Sequence, residues 1–282
     1  MNLQSDCLVC LLNQSLRVTK NLKLDENISQ EILRVASSSI ATYANVSPPI
    51  AASDLYPKLS DIVGTKDIYE NLKIISTQEA LKLLPSVKDS ISKQKNKIKG
   101  AIKASVAGNV IDFATPNHFD LTTEFQKVFS TPFAIDNEDE FLDRLSKANS
   151  FMIIGDNVGE HVFDKILLEE IAKKHPNIKL YYAVRGQPII NDVTIKEAKE
   201  IGIDEIATIV NSGVDTPGLA YERASKEFMN LYNSMDLIIA KGMGNYECLD
   251  NVRDNRLYHL FKVKCEVVAS SVGAKLGELI FK

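Results

Sequence analysis

Acidic and amide side chains that could hold a divalent cation follow two apolar segments of the chain. Asp156 and Asn157 come almost directly after the apolar run 151–154, and Asp192 follows the run 180–184 after the seven residues 185–191. Carboxylate and amide oxygens are hard ligands of the kind that Mg²⁺ and Mn²⁺ prefer. Asp156, Asn157 and Asp192 are therefore candidate metal ligands. The alternative is ordinary turn chemistry, because Asp and Asn also cap helices and close βα turns.

Three charged residues beside these segments could bind or activate a phosphate group. Glu160 begins the next predicted helix and could act as a base, although an acidic residue is also common in a first helical turn. Arg185 directly follows the segment 180–184, where its guanidinium could contact phosphate. Lys241 ends another apolar segment and could neutralise phosphate charge, with backbone amides nearby.

Two glycine-containing turns could supply backbone amides to an anion. One spans 210–218 and contains Ser212, and its alternative role is simply to reverse the chain. The other spans 241–247 and contains Gly244 and Asn245. The second turn resembles the start of a dinucleotide-binding loop, but a glutamate stands where the third glycine should be, and a lone G-x-G is weak evidence.

Strand and helix patterns alternate in the second part of the chain. Short apolar runs predict strands at 134–135, 151–154, 180–184, 205–210, 237–240 and 259–263. Helices fit between them at about 137–147, 160–174, 194–201 and 219–234. This alternation predicts an α/β fold with a mostly parallel, doubly wound sheet, in which ligands bind at the carboxyl ends of the strands.

The first hundred residues instead have the apolar spacing of successive amphipathic helices, with breaks near 47–49 and 64–67. No strand-like alternation precedes about residue 106. We therefore predict an N-terminal all-helical subdomain at 1–105 and an α/β metal-binding catalytic domain at 106–282.

Composition narrows the class of partner. The formal net charge of −4 gives no electrostatic reason to bind nucleic acid or an anionic membrane. No apolar run approaches the roughly 20 residues of a membrane span, and the first residues do not predict a secretory signal. Four cysteines are too few for a disulfide scaffold in 282 residues, so the cytoplasm is the expected compartment. A P-loop, a G-x-S-x-G elbow and an H-E-x-x-H motif are all missing from the sequence.

In their order along the chain, these motifs resemble the damage-control phosphatase family (domain of unknown function 89). The resemblance rests on G-D-N-x-G-E at 155–160, Asn-Asp at 191–192, S-G-x-D-x-P-G at 212–218 and K-G-x-G-N-x-E at 241–247. The C-x-x-C of Cys7 and Cys10 and the segments 107–112 and 264–269 are similar to the stand-alone microbial branch of that family.

The resemblance implies a metal-dependent phosphatase with a helical subdomain on an α/β core. It implies metal ligation by Asp156, Asn157 and Asp192, phosphate contacts in 241–245, and a pocket lined by Asn109 and Arg185. The cation would be Mn²⁺, Co²⁺, Ni²⁺ or Mg²⁺. The partner would be a small phosphorylated metabolite, either a sugar phosphate or a damaged phosphometabolite.

The mechanism predicted from these residues is attack by a metal-activated water, because the D-x-D-x-T pattern of aspartyl-phosphate hydrolases is absent. Asp156 could instead act as the base or as a carboxylate nucleophile, and these alternatives stay open. The predicted catalytic residues are Asp156, Glu160 and Lys241, and the predicted substrate-binding residues are Asn109, Arg185, Ser212, Gly244 and Asn245.

Two rival functions and one local question also stay open. An S-adenosylmethionine-dependent carboxyl methyltransferase could use the same core, and a non-catalytic module could bind phosphometabolites without turnover. Cys7 and Cys10 lie one helical turn apart, so they could be buried structural cysteines, a redox pair or part of a metal site.

Overall fold

A computed structural model of the chain describes residues 1–110 and 121–282. Ile111 and Asp112, the last two residues of the 107–112 motif, lie outside the described residues. Within the described ranges the helices are α1 (Ser5–Asn21), α2 (Glu26–Ile40), α3 (Pro48–Val63), α4 (Glu70–Ser92), α5 (Lys97–Val110), α6 (Leu121–Ser130), α7 (Glu138–Leu145), α8 (His161–Lys174), α9 (Ile195–Glu200), α10 (Lys226–Asn233), α11 (Gly242–Leu249) and α12 (Glu266–Val272). The strands are β1 (Phe133–Asp136), β2 (Ser150–Ile154), β3 (Lys179–Val184), β4 (Thr208–Asn211), β5 (Leu237–Lys241), β6 (Leu257–Lys262) and β7 (Leu279–Phe281).

Helices α1 to α3 pack together through the apolar faces that their spacing predicts. Local signals set their ends: Asp25 accepts hydrogen bonds from two backbone amides at the start of α2, and two prolines begin α3. Gly64 ends α3 in the left-handed conformation. Their buried apolar side chains form what we call the N-terminal cluster, whose members include Leu11, Val18, Ile32, Ala36, Leu55, Leu59 and, from a distant part of the chain, Ile189.

The described strands form one sheet in the order β1-β7-β6-β5-β2-β3-β4. Strands β2 to β6 are parallel, whereas β7 is antiparallel to β6 and β1 is parallel to β7. Helices cover both faces of the sheet. In β2, Phe151 and Ile153 belong to the core that includes α5 and α8, while Met152 and Ile154 belong to the core that includes α10. Burial on both faces explains the uninterrupted apolar sequence of β2, and the α/β, mostly parallel fold class is confirmed.

The strand order reverses direction between β2 and β5. From β2 the chain continues to β3 and β4 on one side, and then crosses to β5 and β6 on the other. In such sheets the carboxyl ends on either side of the reversal diverge and leave a crevice. Asp156 follows β2 and Lys241 ends β5, so two of the predicted site residues flank this crevice.

Helices α4 and α5 lie against the sheet. Leu83 of α4 and Ile98 of α5 belong to the same buried core as Phe151. The predicted division of the chain at residues 105 and 106 stays a prediction. No helix in the described ranges combines the length and apolar character needed to cross a membrane.

Several element boundaries differ from those predicted. The predicted helix at 219–234 is wrong in its first half, where a 3₁₀ turn at Tyr221–Arg223 precedes α10. The reason is a helix cap, because the Ser225 hydroxyl accepts a hydrogen bond from the Phe228 amide and begins α10 there. The predicted strand at 205–210 begins at Thr208, after a 3₁₀ turn. Strand β7 was not predicted, since three residues are too few to show a period.

Candidate active site

The structure brings the three candidate metal ligands together. Asp156 and Asn157 lie in the turn after β2, and Asp192 lies in the turn between β3 and α9. The backbones of Asn157 and Asp192 pair as an isolated antiparallel bridge. The Val193 amide also donates to the Asp156 carbonyl at 2.9 Å, so the two turns are joined on both sides of the bridge. Asp156 is 7% exposed and Asp192 is 2% exposed, and both carboxylates are therefore withdrawn from water.

Two amide side chains hold the Asp156 carboxylate in place. Its Oδ2 accepts hydrogen bonds from Nδ2 of Asn109 at 3.2 Å and from Nδ2 of Asn157 at 2.9 Å. The same oxygen lies against the backbone of Gly242, which has a φ of +75°. A Cβ atom at Gly242 would stand 1.8 Å from Oδ2, so only glycine fits there.

The same amides reach Glu160, which precedes the first residue of α8. Glu160 Oε1 accepts hydrogen bonds from Nδ2 of Asn109 at 2.7 Å and from Nδ2 of Asn157 at 3.0 Å. Asn109 is oriented in turn because its Oδ1 accepts from the Lys262 amide at 3.2 Å. Predicted residues from α5 and from the β2–α8 turn thus meet as one hydrogen-bonded group.

Arg185 is 1% exposed and only partly satisfied. Its Nε donates to Asp192 Oδ2 at 2.7 Å, and its Nη2 lies 3.8 Å from Asp156 Oδ1. Within the described part of the chain, Nη1 and Nη2 are buried without a hydrogen-bond partner. Unpaired buried donors are costly and uncommon. These two nitrogens therefore mark a place where an anion would be favourable.

Lys241 uses its ammonium group on protein acceptors. Its Nζ donates to Asp164 Oδ1 at 2.7 Å and to the Ser105 carbonyl at 3.1 Å, and it lies 3.5 Å from Glu160 Oε2. Asp164 also accepts from the Ser105 hydroxyl at 2.6 Å and from the Tyr182 hydroxyl at 3.0 Å. In this arrangement Lys241 reaches the site through Glu160, and its predicted contact with phosphate stays a prediction.

Sequence reasoning missed Asp164, Ser105 and Tyr182. One signal was available for Asp164, because it follows Glu160 by four residues and so lies on the same face of one helix. Nothing comparable marked the other two, since their chain positions are distant and their roles depend on packing.

Ser212, Gly244 and Asn245 hold the backbone of neighbouring turns. The Ser212 hydroxyl donates to the Val184 carbonyl at 2.7 Å, and Gly244 packs so tightly that a Cβ atom would lie 2.1 Å from the Pro217 carbonyl oxygen. Asn245 accepts from one backbone amide and donates to the carbonyls of Gly155, at 3.1 Å, and Lys241, at 2.6 Å. The structure therefore places these three residues around the site, and their contact with substrate stays a prediction.

The site carries more negative than positive charge. Four carboxylates face two basic groups, a formal excess of two negative charges, and the groups are Asp156, Glu160, Asp164, Asp192, Arg185 and Lys241. Burial raises the pKa of Asp156 well above its ordinary value, and the charges of Glu160 and Asp192 raise it further against the opposing effect of Arg185. Burial also raises the pKa of Asp192 to about 6, although Arg185 lowers it. Burial lowers the pKa of Lys241, but the neighbouring carboxylates outweigh it and the net shift is upward.

This donor set fits a hard divalent cation. Asp156 and Asp192 both lie beside the Arg185 guanidinium, and Asn157 offers an amide from the same turn as Asp156. Carboxylate and amide oxygens suit such a cation, and the excess negative charge would match its two positive charges. No group of three or more His, Cys, Asp or Glu side chains in residues 1–110 and 121–282 is arranged to hold a metal ion. A site here would therefore depend on the Asn157 amide as well as on Asp156 and Asp192.

The N-terminal cysteine pair is separate from this group. Cys7 and Cys10 are free thiols near the start of α1, and Cys10 Sγ accepts a hydrogen bond from Gln14 Nε2 at 3.3 Å. Their use in metal binding or redox chemistry stays untested.

Comparisons with known proteins give a consistent result. A sequence profile of the Damage-control phosphatase ARMT1-like domain matches residues 3–280. A damage-control phosphatase of Pyrococcus horikoshii is 33% identical over 283 residues, which cover 99% of this chain and 97% of that protein. A damage-control phosphatase of Archaeoglobus fulgidus is 28% identical, with coverage of 100% and 99%. The crystal structure of a DUF89 family protein from Pyrococcus horikoshii matches with a TM-score of 0.92 and 32% identity, over 100% of this chain and 98% of that one.

Proposed function

We propose, since this chain belongs to the damage-control phosphatase ARMT1-like domain family, that it hydrolyses small phosphorylated metabolites with the help of a divalent cation. The proposed substrates are sugar phosphates or damaged phosphometabolites, and the proposed cations are Mn²⁺, Co²⁺, Ni²⁺ and Mg²⁺. The observation that carries the proposal is the buried guanidinium group of Arg185, which contacts the carboxylates of Asp156 and Asp192. Among the residues that the structure describes, its Nη1 and Nη2 have no hydrogen-bond partner. In this proposal the site for the phosphate would adjoin the site for the cation.

Asp156, Asn157 and Asp192 would hold the cation. When bound, the cation supplies a Lewis acid for the phosphoryl group and lowers the pKa of a coordinated water. The bridge between Asn157 and Asp192 already sets the spacing of the two turns that carry these side chains.

Arg185 would bind the phosphate. Its Nε is committed to Asp192, and this hydrogen bond holds the plane of the guanidinium group. The remaining nitrogens, Nη1 and Nη2, can each donate to a phosphate oxygen, a paired geometry that a lysine ammonium does not offer.

Glu160 would accept the proton of the attacking water. Its Oε1 is held by Asn109 and Asn157, while its Oε2 lies 3.5 Å from Lys241 Nζ. In this assignment Lys241 orients and electrostatically supports Glu160. Attack by water is preferred to attack by Asp156, because Asp156 is assigned to the cation and the D-x-D-x-T pattern of aspartyl-phosphate hydrolases is absent from the sequence.

The test is phosphate release from a panel of sugar phosphates, each assayed with Mg²⁺, Mn²⁺, Co²⁺ or Ni²⁺ and after treatment with a chelator. We expect turnover that is lost with the chelator and restored by a cation. Asp192→Asn should lose cation binding and turnover, whereas the exposed Asp61→Asn should keep both. The proposal would be contradicted by phosphate release that is unchanged after chelator treatment, or by an Asp192→Asn variant with normal turnover. Methyl transfer without a cation would favour the methyltransferase, and binding without turnover would favour the binding module.

A further inference from the structure

The turn that delivers Asp192 contains a strained residue. The Asp192 amide donates to the Ile189 carbonyl at 3.1 Å, which closes a four-residue reverse turn. Ile190, the second residue of that turn, has a φ of +47°. A β-branched side chain rarely adopts this left-handed conformation, and such strain persists only where the surrounding structure holds it.

Packing on the N-terminal cluster holds this strain. Ile189 is 4% exposed and belongs to that cluster, and Ile190 is partly buried against it. The remaining cluster residues come from the first 69 residues of the chain, so the two isoleucines insert into a core that α1 to α3 build. An apolar anchor of this kind can balance an unfavourable backbone conformation.

The turn is connected directly to both ligand-bearing segments. The Asn191 carbonyl accepts from the Val158 amide at 2.8 Å, next to Asn157. The residue after Asn191 is Asp192 itself, whose Oδ2 is bound to Arg185 Nε. A displacement of the turn would therefore move a proposed cation ligand and the orientation of Arg185 together.

A buried lysine connects the far side of the same loop to the helices. Lys73 of α4 is 2% exposed, and its Nζ lies 2.9 Å from Asp67 Oδ2 and 3.5 Å from Glu197 Oε1. Glu197 forms a capping box with Thr194 at the start of α9, two residues after Asp192. The N-terminal cluster therefore holds this loop at Ile189 and Ile190, and α4 holds the start of the following helix.

We propose that Ile190 is a positioning residue and that α1 to α3 act as a clamp on the proposed cation site. The N-terminal cluster holds the strained turn and thereby sets where Asp192 lies relative to Asp156 and Asn157. This inference rests on the proposed function, because it takes Asp192 as a cation ligand. It assigns a role in cation affinity to α1 to α3, although these helices are far from the proposed cation ligands in the sequence.

Two substitutions separate the anchor from the strain. Both variants keep Ile189 in the cluster: Ile190→Gly removes the Ile190 contact with the cluster but permits a φ of +47°, whereas Ile190→Ala removes the same contact and keeps the strain. Ile28→Ala is the matched control, because Ile28 is also partly buried against the same cluster but lies in α2, far from the turn along the chain. Each full-length variant is measured by titration calorimetry with Mn²⁺ and by urea unfolding without metal.

We expect Ile190→Gly and Ile190→Ala to bind Mn²⁺ about tenfold or more weakly, as outer-shell changes at metal sites do. Ile190→Gly should be the more stable of the two in urea. Ile28→Ala should lose stability and yet bind Mn²⁺ like the parent.

One further variant separates the two proposals. If Asp192→Asn loses Mn²⁺ binding while Ile190→Gly binds like the parent, the clamp is refuted and the proposed cation site stands. If Asp192→Asn binds Mn²⁺ like the parent, the cation site is wrong and the clamp falls with it. If Ile28→Ala weakens Mn²⁺ binding as much as Ile190→Gly, the effect is general loss of packing and the clamp is also refuted.

Discussion

A single methyl group at Gly242 should disable the site by displacing Asp156. The Cβ atom of Gly242→Ala would stand 1.8 Å from Asp156 Oδ2, and real Cβ contacts are essentially never shorter than 3.0 Å. The difference, 3.0 minus 1.8, means that the carboxylate or the start of α11 must shift by about 1.2 Å. A misplacement of about 1 Å at a catalytic centre can cost about 10²-fold in rate, which corresponds to about 2.7 kcal/mol.

The chain offers a matched control for this change. Gly273 ends α12 with a φ of +77°, close to the +75° of Gly242, and has nothing within 4 Å of its Cβ position. Both alanine variants therefore pay a similar cost of about 1–2 kcal/mol for the left-handed backbone. Only Gly242→Ala adds the collision with Asp156, so the difference between the two variants isolates it.

The assay is phosphate release under saturating cation, together with Mn²⁺ titration and urea unfolding. Gly273→Ala should lose stability and keep kcat and Mn²⁺ affinity. Gly242→Ala should lose both kcat, by about 10²-fold, and Mn²⁺ affinity. If Gly242→Ala keeps kcat within threefold of Gly273→Ala, the reasoning that Asp156 must hold this position is refuted.

Three further predictions concern buried charges. Asp164→Asn should cost about 3–5 kcal/mol in urea unfolding, because it leaves Lys241 Nζ without the carboxylate 2.7 Å away, and adding Lys241→Met should recover part of that loss. Arg185→Lys should lower kcat/KM about tenfold or more, because the lysine replaces a planar fork by a single ammonium group. Glu138→Gln should stabilise the protein at pH 8 and change it little at pH 5, since burial, with Asp136, raises the pKa of Glu138 from 4.5 to about 7.

The sign of the pH effect follows from that upward shift. The folded state favours protonated Glu138, so its contribution to stability is present below about pH 4.5 and is lost as the pH rises through about 7. Urea unfolding of the parent and of Glu138→Gln at pH 5 and pH 8 measures this contribution. An equal change in the free energy of unfolding at both pH values would contradict the raised pKa of Glu138. For the ion pair, a double variant as unstable as Asp164→Asn would show that the loss of the closer of the two carboxylates beside the Lys241 charge is not the cause. For Arg185→Lys, an unchanged kcat/KM would refute the proposal that Arg185 donates two hydrogen bonds to the phosphate.

The sequence determined the fold class and the edge of the sheet where the polar residues gather. Apolar runs of strand length gave β2, β3, β5 and β6, and the polar residues directly after such runs had to lie at their carboxyl ends. Because parallel strands share one orientation, Asp156, Asp192 and Arg185 could be predicted to meet. That inference needs only local periodicity and the direction of the strands.

Only the tertiary structure decided which buried polar groups face one another. Three contacts join segments that are far apart in the chain. They are the ion pair of Lys241 with Asp164, the contact of Asp156 with Gly242, and the packing of Ile190 on the N-terminal cluster. Periodicity shows which residues turn inward, but it does not show which partner each inward residue meets. That choice comes from the packing of whole elements, where shape and the need to satisfy every buried charge act together.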